Sequence, residues 1–574
     1  MSGFTGLILF KDNTLIKSNK IKFPEITNRF YPKLESACGE SYCFYYYGNS
    51  RLYQAPLMHP GLSGIYGLEG VFLNVPLNEL GEKIDLERED LQPPAGFLNT
   101  LRKAHGTFSG FSYNKNLKEL FLFTDQTASH QIFYYTRKDI FVFSSSIFML
   151  CNLLRQINIK LTLNQPAAYM CLSIGFLLKD YTLVNEIKKL EAGKYLIVNE
   201  KNTIVKEYHN YYMPVIHNKI NRDLLEELDT RFMKSINMEY QFDINKGFKH
   251  LATLSGGLDS RMNLMAAWES GYKAITALTF DEGMQPDELV SRIITNDLKI
   301  QQIIILLNNG LHLFDIENPL LLNNCAVFYF GAAQTFYAVR KLNFNSFGLL
   351  HNGILAESSK GTYLSGPEHK LPEHAKQWSV SGKLLSRIQL LINSEIAGSY
   401  PNEEMFIHYS RGFNAAHNGS WMARPFAESV YPFMEPDFAE LAFSINPKLR
   451  YKSFLTINWL KALHHDIAKY KRAPYGFRPT NSQVKMVIER VLRKTGRIIT
   501  GNNFNRDPLN YWYVSNELLR KFILENFSDS QSWNIIPAEM KRDVEILFKT
   551  GTTSEKMLCI SFLKSLELLF MDNK

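Results

Sequence analysis

The order of hydrophobic and polar residues divides the chain into two parts with different periods. Up to about residue 210, short apolar or alternating runs are separated by turn residues, which is typical of paired antiparallel strands. The clearest strand-like runs are 6–10, 41–47, 119–123, 140–144 and 194–198. The clearest helical pattern in this part is 147–157. We therefore predict a β-rich N-terminal part.

The second part contains helical and mixed patterns. Residues 222–237 place apolar side chains on one face at helical spacing, namely Leu224, Leu225, Leu228, Phe232 and Ile236. A strand-like run, a helical run and a second strand-like run then alternate as in parallel α/β units: 274–280, 288–297 and 301–307. Beyond residue 380 the pattern is almost wholly helical, in runs 384–396, 437–445, 452–464 and 482–493. We predict two domains, 1–212 and 213–574.

The composition is that of a folded protein with more than one domain. A chain of 574 residues is too long for one core, and its 45% hydrophobic and 21% charged content is ordinary. The net charge of +8 is dispersed, and the many aromatic residues lack a surrounding basic stripe, which favours core packing over nucleic-acid binding. No run of 18 apolar residues predicts a membrane helix. We expect a cytoplasmic protein without nucleic-acid or membrane partners.

The six cysteines contain no Cys-x-x-Cys pair. This spacing argues against a zinc knuckle and against a dense disulfide framework.

One segment carries the most specific chemical signal. The residues from Thr253 to Ser260 read Thr-Leu-Ser-Gly-Gly-Leu-Asp-Ser, between a strand-like run (249–254) and a helix-like run (262–270). Unpaired backbone N–H groups and the helix dipole make such a junction an anion site. The segment is not a Walker loop, because no Gly-x-x-x-x-Gly-Lys-Ser/Thr pattern accompanies it. An ordinary capped strand-to-helix turn is the alternative, and the complete motif favours nucleotide binding.

The residue types within the segment suit a nucleotide. Gly256 and Gly257 let the backbone approach phosphate oxygens closely. Ser255 and Ser260 add hydroxyl donors, and Asp259 supplies a carboxylate of the kind that Mg²⁺ prefers. The residue types therefore predict a nucleotide bound together with Mg²⁺.

Asp281 and Asp287 follow the next strand-like run. Acids beyond the carboxyl end of a strand can line a ligand crevice. Asp287 also suits the N-cap of the following helix, and we favour that capping role.

The loop resembles the pyrophosphate loop of ATP pyrophosphatases, and the chain resembles glutamine-hydrolysing asparagine synthetases with their β-lactam synthetase and lasso-peptide cyclase relatives. Further matching segments occur in the family's order: 101–108, 125–135, 143–147, 187–193, 424–426 and 431–435. The resemblance implies an α/β and α+β fold. An N-terminal-nucleophile hydrolase-like β-sandwich domain would release ammonia from glutamine. A Rossmann-like ATP pyrophosphatase domain with a helical C-terminal part would adenylate a carboxylate, and ammonia would then displace AMP.

Three positions of the implied glutaminase site differ from the family. The family's nucleophile is a cysteine exposed by removal of the initiator methionine, and Ser2 stands there, which has far less nucleophilic anion at neutral pH. The family's Asn-Gly-Glu corresponds to Glu-Gly-Val at 69–71, and its Asp-Gly corresponds to His-Gly at 105–106. An N-terminal serine can in principle serve as nucleophile, but we predict a structural remnant without glutaminase activity.

The resemblance also implies the ATP site. Thr253 and Leu278 fall where the family holds adenine, and Leu254 with residues 351–353 (His351, Asn352 and Gly353) completes the predicted ATP-binding set.

The second acidic motif of the family is altered. Gly353 replaces its base glutamate and Ala356 its magnesium aspartate, while Glu357 is either a second metal ligand beside Asp259 or a solvated loop acid. The family's lysine at the pentavalent phosphorus corresponds to Pro474. Nearby residues that could replace it are Lys469, Lys471, Arg472 and Arg478.

Taken together, the residues and the resemblance predict an ATP-dependent, AMP-forming amide ligase of the asparagine synthase kind. It would activate a small-molecule or peptide carboxylate, with ammonia or an amine of the substrate as nucleophile, and a homodimer is a further expectation. Two alternatives stay open: a specialised ring-closing amide ligase, and an inactive relative that serves as a binding scaffold.

Overall fold

The computed structural model describes residues 3–10, 34–48, 58–60, 64–76, 93, 96–281, 286–372, 379–473, 478–479, 481 and 508–571. These residues form a mixed α/β fold with three sheets and many helices.

Two antiparallel sheets make up the N-terminal part. Their strands are β1 (Gly3–Leu9), β2 (Leu34–Cys38), β3 (Tyr42–Tyr47), β4 (Met58–Pro60), β5 (Gly64–Phe72), β6 (Gly106–Asn114), β7 (Glu119–Thr124), β8 (Phe133–Arg137), β9 (Ile140–Ser144), β10 (Lys188–Lys189), β11 (Lys194–Val198) and β12 (Thr203–Glu207). One sheet has the order β10-β8-β9-β1-β3-β2, and the other has the order β12-β11-β7-β6-β5-β4.

The two sheets pack face to face. Phe4 and Phe44 from the first sheet share a buried cluster with Phe111 and Leu122 from the second. The rings of Phe4 and Phe111 lie edge to face with centroids 5.2 Å apart. The N-terminal part is therefore a β-sandwich, because each sheet buries one face of its alternating pattern against the other.

A parallel sheet follows in the chain. Its strands are β13 (Lys249–Thr253), β14 (Ile275–Asp281), β15 (Gln301–Leu306), β16 (Phe347–His351) and β17 (Ser429–Val430), in the order β15-β14-β13-β16-β17. The order reverses between β13 and β16, so the carboxyl end of β13 lies at the switch point where parallel sheets form ligand crevices.

Helices cover both parts. They are α1 (Phe97–Lys103), α2 (Ile147–Gln156), α3 (Gln165–Ser173), α4 (Arg222–Asn245), α5 (Leu258–Glu269), α6 (Pro286–Leu298), α7 (Glu317–Leu322), α8 (Ala333–Val339), α9 (Glu357–Lys360), α10 (Gln389–Leu391), α11 (Glu403–Ile407), α12 (Asn418–Ala423), α13 (Pro436–Ser444), α14 (Pro447–Arg450), α15 (Phe454–Leu463), α16 (His465–Ala468), α17 (Pro508–Ser515), α18 (Glu517–Ser528), α19 (Ala538–Thr550) and α20 (Thr553–Phe570). The C-terminal helix α20 packs in one cluster with α2 and α3, so the chain's end contributes to the N-terminal core.

The predicted periods agree with most of these elements. The runs predicted at 147–157, 274–280, 288–297 and 301–307 correspond to α2, β14, α6 and β15, and the helix predicted at 222–237 extends to residue 245 as α4. The helix predicted at 384–396 is wrong as one element. It is interrupted at Ile388 (φ −126°, ψ 0°) and divides into a 3-10 turn, the short α10 and a π turn. The helix predicted at 482–493 lies outside the described residues.

None of the described helices is long and apolar enough to cross a membrane. Cys38 and Cys43 form a disulfide across the β2–β3 hairpin. The other four cysteines are free, which agrees with the expected lack of a dense disulfide framework.

Candidate functional site

The loop between β13 and α5 is braced by its own two serines. The Ser255 N–H donates to Ser260 Oγ at 3.0 Å, and the two hydroxyls lie 3.0 Å apart. The Gly257 N–H donates to Ser255 Oγ at 3.2 Å. Leu254 donates its N–H to the Leu278 carbonyl at 2.9 Å, which continues the pairing of β13 with β14. The loop is therefore preformed at the carboxyl edge of the sheet.

Gly256 is constrained by its neighbours. A Cβ atom there would lie 2.3 Å from the Ala473 Cβ and 2.7 Å from Asp287 Oδ1, so no larger residue fits. The Gly256 N–H donates to that Asp287 oxygen at 2.7 Å. The capping role favoured for Asp287 is wrong, because Asp281 accepts the N–H of Glu288 at 3.0 Å and caps α6. Asp287 lies within the first turn of α6 and instead accepts the Gly256 N–H of the loop.

A buried arginine supports the loop from below. Arg261 is fully buried, and its guanidinium donates to the carbonyls of Gly256 (3.2 Å), Tyr470 (3.1 Å) and Lys471 (2.8 Å). Burial, together with the charge of Arg472, lowers the pKa of Arg261 to about 10, so it stays charged at neutral pH. The sequence analysis missed this residue, although an arginine directly after the motif in an apolar helix was a visible signal.

Two carboxylates face the loop across one ammonium group. Lys360 Nζ lies 2.5 Å from Asp259 Oδ2 and 3.8 Å from Glu357 Oε1. Burial raises the pKa of the Glu357 carboxyl despite the opposing charge of Lys360. Burial alone would lower the pKa of the Lys360 amine, but the Asp259 and Glu357 charges outweigh burial and raise it. The structure brings Glu357 to Asp259 as predicted, and Lys360 is the partner that sequence reasoning missed.

A cavity of about 670 Å³ opens above the loop. The predicted residues on its wall are Thr253, Leu254, Ser255, Gly257, Asp259, Ser260, Leu278, Asn352, Gly353 and Glu357. Thr253 Oγ1 donates to Asn352 Oδ1 at 2.9 Å, which joins the ends of β13 and β16 on this wall. Most of the residues predicted to bind ATP thus line one space.

His351 is separated from that space. Its fully buried ring lies with Nε2 2.8 Å from Asp243 Oδ2 and Nδ1 3.4 Å from Glu239 Oε2, both on α4. Burial would lower the pKa of His351, but the charges and hydrogen bonds of Asp243 and Glu239 together outweigh it and raise the pKa to about 9. His250 contacts the same Asp243 oxygen at 3.0 Å, so three potential metal-ligating atoms lie within 4.8 Å. These contacts form a buried ion-pair network under the sheet, away from the cavity.

The region that the resemblance assigns to glutamine contains buried polar contacts. Glu69 accepts from Ser145 Oγ at 2.6 Å and lies 3.0 Å from His130 Nδ1. His130 Nε2 lies 3.2 Å from Glu428, and Arg424 Nη1 lies 3.9 Å from Glu69. Burial would lower the pKa of His130 and Arg424 opposes protonation, but Glu428 and Glu69 raise the pKa to about 8.

His105 makes similar contacts with the second part of the chain. Its ring lies 2.9 Å from Glu435 and 3.5 Å from Asp437, and only 2% of it is exposed. Burial would lower the pKa of His105, but the charges and hydrogen bonds of Glu435 and Asp437 together outweigh it and raise the pKa to about 9. The two altered positions at 69 and 105 are thus engaged by protein groups. Ser2 lies outside the described residues.

Comparison with known proteins shows which proteins parts of this chain resemble. Residues 95–211 match the glutamine amidotransferase domain model. A putative glutamine-hydrolysing asparagine synthetase 2 from Methanocaldococcus jannaschii is 26% identical over 194 residues, which cover 32% of this chain and 36% of that protein. The resemblance to the asparagine synthetase family is confirmed. The chain thus matches about a third of the length of this asparagine-synthetase relative.

Two solved amidotransferase-related structures are also similar. The glutamine phosphoribosylpyrophosphate amidotransferase of B. subtilis, complexed with ADP and GMP, is 9% identical with a TM-score of 0.21, over 52% of this chain and 59% of that one. A structure described as the allosteric regulatory enzyme of purine biosynthesis is 10% identical with a TM-score of 0.22, over 53% and 74%. At these scores we draw no argument from either.

Within the asparagine-synthetase-like frame, the altered acidic motif has a steric explanation. A Cβ atom at Gly353 would lie 2.3 Å from the carbonyl carbon of Asp259, so no glutamate fits at that position. Ala356 is 1% exposed and belongs to the core beside α9. The position of Pro474 lies outside the described residues.

Proposed function

We propose that this protein is an ATP-dependent, AMP-forming amide ligase that activates a carboxylate as an acyl-adenylate. A carboxylate oxygen would attack the α-phosphorus, forming an acyl–phosphate bond as the bond to pyrophosphate breaks. An amine nitrogen would then attack the carbonyl carbon, AMP would leave, and the amine would lose a proton to solvent. The similarity to an asparagine synthetase supports the ligase class.

One observation carries this proposal. The Ser-Gly-Gly-Leu-Asp-Ser loop and the Asp259–Glu357 acid pair open on the same cavity at the carboxyl edge of a parallel sheet. Backbone N–H groups at the start of α5 suit phosphate oxygens. Thr253 at the end of β13 and Leu278 within β14 line the same space and suit its adenine side.

The acid pair fits a magnesium ion. Asp259 and Glu357 both line the cavity, and Lys360 already neutralises them as a cation would. Bound Mg²⁺ would neutralise charge on the departing pyrophosphate. Asp259 and Glu357 would hold that ion, and Lys360 would keep both carboxylates in place.

Free ammonia or an amine within the substrate is the nitrogen source in this proposal. Glu69 and His105, at the positions implied for holding glutamine, are each buried in ion pairs with other protein groups. Binding glutamine there would require breaking those pairs, and breaking a buried ion pair is costly.

The test combines binding with turnover. Calorimetry with MgATP should give one site per chain, and pyrophosphate and AMP should appear with ATP, a carboxylate and ammonia. Glutamine should not replace ammonia, and no glutamate should be released from it. MgATP binding without pyrophosphate from any carboxylate would support the inactive scaffold, and absence of MgATP binding would remove the nucleotide-site assignment.

A further inference from the structure

The cavity has a second wall that faces the loop, and its chemistry differs from that of the loop wall. The second wall is formed by residues that follow α3 and β16, by residues before and within α8, by Val380, by a π turn and by α12. Its apolar residues include Phe176, Phe328, Ile354, Val380, Ala415 and Ala416, and Thr335, Asn418 and Ser420 add uncharged polar groups. Most of these apolar side chains are only partly buried, so hydrocarbon faces the cavity. An apolar wall beside an ionic loop indicates that this space receives two chemically different groups.

Arg411 carries the only charge on the described part of this second wall. It lies in the π turn His408–Ala416, and such turns often occur at functional sites. Among the described residues Arg411 has no ion-pair partner, whereas the Lys360 amine is fully engaged by Asp259 and Glu357. Its guanidinium is therefore available to an anion from outside the protein.

Arg411 lines the same cavity as the acid pair Asp259 and Glu357. Tyr363 lines this cavity as well, and the charge of Arg411 opposes the rise that burial causes in the pKa of Glu357 and of Tyr363. A guanidinium binds a carboxylate through two parallel N–H donors. A substrate carboxylate held by Arg411 would thus lie beside the acid pair and the phosphate loop.

We propose that the acceptor is a carboxylate joined to a bulky apolar group, with Arg411 binding the carboxylate and the second wall binding the apolar group. This inference rests on the proposed ligase function. Aspartate fits the wall poorly, because its ammonium and second carboxylate would be placed against hydrocarbon with one cation available. Burying a charge without a partner is unfavourable, and apolar contact area is favourable in proportion to its size.

The experiment compares 4-phenylbutanoate, N-acetyl-Gly-Phe and aspartate with the full chain. Hydroxylamine serves as the amine, and pyrophosphate release gives kcat/KM. We expect at least a ~10-fold preference for an apolar acid over aspartate, a discrimination that a few methylene groups supply. The free acid and the peptide distinguish a small-molecule acceptor from a peptide C-terminus. Aspartate as the best substrate would overturn the proposal.

Variants test the carboxylate-binding role of Arg411 and the apolar second wall separately. Arg411→Met should raise KM for the apolar acid at least ~10-fold and leave KM for ATP within twofold, and Arg411→Lys should recover part of the loss. Ala416→Trp should fill the space beside the second wall and exclude 4-phenylbutanoate. Arg137→Met, on an exposed strand of the N-terminal sheet, is the matched control. An Arg411→Met variant that changes only KM for ATP would contradict the carboxylate role.

Equilibrium binding distinguishes failure of this proposal from failure of the ligase function. The protein is loaded with Mg²⁺ and an ATP analogue whose α,β-bridge is methylene, and each acid is titrated. Binding of 4-phenylbutanoate that Arg411→Met weakens, without turnover of any acid, would retain the apolar pocket and remove the ligase. Turnover of aspartate without binding of the apolar acids would retain the ligase and remove the pocket.

Discussion

The cavity above the loop and the glutaminase-like region have opposite arrangements of polar groups. At the loop, Ser255, Ser260, Asp259 and Glu357 line a space of about 670 Å³. In the glutaminase-like region, Glu69 is buried and held by His130 and Ser145. The first set is paired within the protein but lines a cavity that a ligand can enter, whereas the second set is buried among its protein partners.

The second region shows what buried charges require. They need partners, and here the protein supplies them. Glu428 and Glu435, which pair with His130 and His105, come from the second half of the chain. These ion pairs therefore join the two halves of the chain.

The largest effect is expected at Asp259. Asp259→Asn removes a carboxylate from the proposed metal pair, and losing several kcal/mol of charge stabilisation corresponds to roughly a 10²–10³-fold lower kcat. Pyrophosphate release measures it. The control is Asp139→Asn, whose carboxylate pairs with Arg137 at a solvent-exposed site. Unchanged kcat in Asp259→Asn would contradict the proposal that the carboxylates at the loop take part in turnover.

Glu69 should matter for stability and not for turnover. Glu69→Leu leaves His130 and Arg424 buried without this carboxylate, which should cost about 3–5 kcal/mol of unfolding free energy. Denaturant unfolding measures the loss, and ammonia-dependent kcat should stay within twofold. Glu69→Gln is a milder variant if the first is insoluble, and Glu191→Gln, at a partly exposed pair with Lys194, should cost only about 0–1 kcal/mol. A large fall in kcat with unchanged stability would make Glu69 functional.

A substitution of Lys360 tests whether Asp259 and Glu357 bind a cation. In Lys360→Met the two carboxylates lose their shared cation and repel each other, so the thermal midpoint in chelator should fall. Added Mg²⁺ should then raise the midpoint more than it does in the unmodified protein. Lys360→Arg keeps the charge and is the matched control. Equal Mg²⁺ responses in all three proteins would mean that the acid pair does not bind the ion.

The smallest effect is a pH dependence at His105. Its folded-state pKa of about 9 exceeds the ordinary value of 6.5. The stabilisation it contributes is therefore fully present below pH 6.5 and is lost as pH rises through 9. His130, His351 and His464 have raised pKa values of about 8, 9 and 9 and contribute in the same direction. His105→Gln should reduce, without removing, the fall in thermal midpoint between pH 6.5 and 9, and an unchanged profile would contradict the His105 assignment.

Local pattern predicted the elements better than it predicted their contacts. The alternating and 3.6-residue periods located α2, α4, β14 and β15, because burial of one face determines those periods. The loop motif located the cavity for the same reason, since its residues are adjacent in the chain. Lys360 and Arg261 were missed because each becomes relevant only through a contact with residues distant in sequence. Arg411 was missed because only the fold brings it to the same cavity as the loop.

The family resemblance indicated which sequence positions to compare, but it did not predict the residues that surround them in the fold. It placed His351 at the nucleotide, but the strand direction turns that side chain beneath the sheet toward Asp243. It described Gly353 as a lost glutamate, whereas the close approach of the Asp259 backbone leaves no room for any side chain. Such packing depends on distances that one sequence does not contain.

Arg261 connects the phosphate loop to a segment two hundred residues away. Its guanidinium holds the carbonyls of Gly256 and Lys471 together, and the Ala473 N–H donates to the Gly256 carbonyl at 3.1 Å. The loop cannot be transplanted alone, because hydrogen bonds with that distant segment hold its backbone in place. An engineer who grafts Ser255–Ser260 into another scaffold would need to carry residues 467–473 with it.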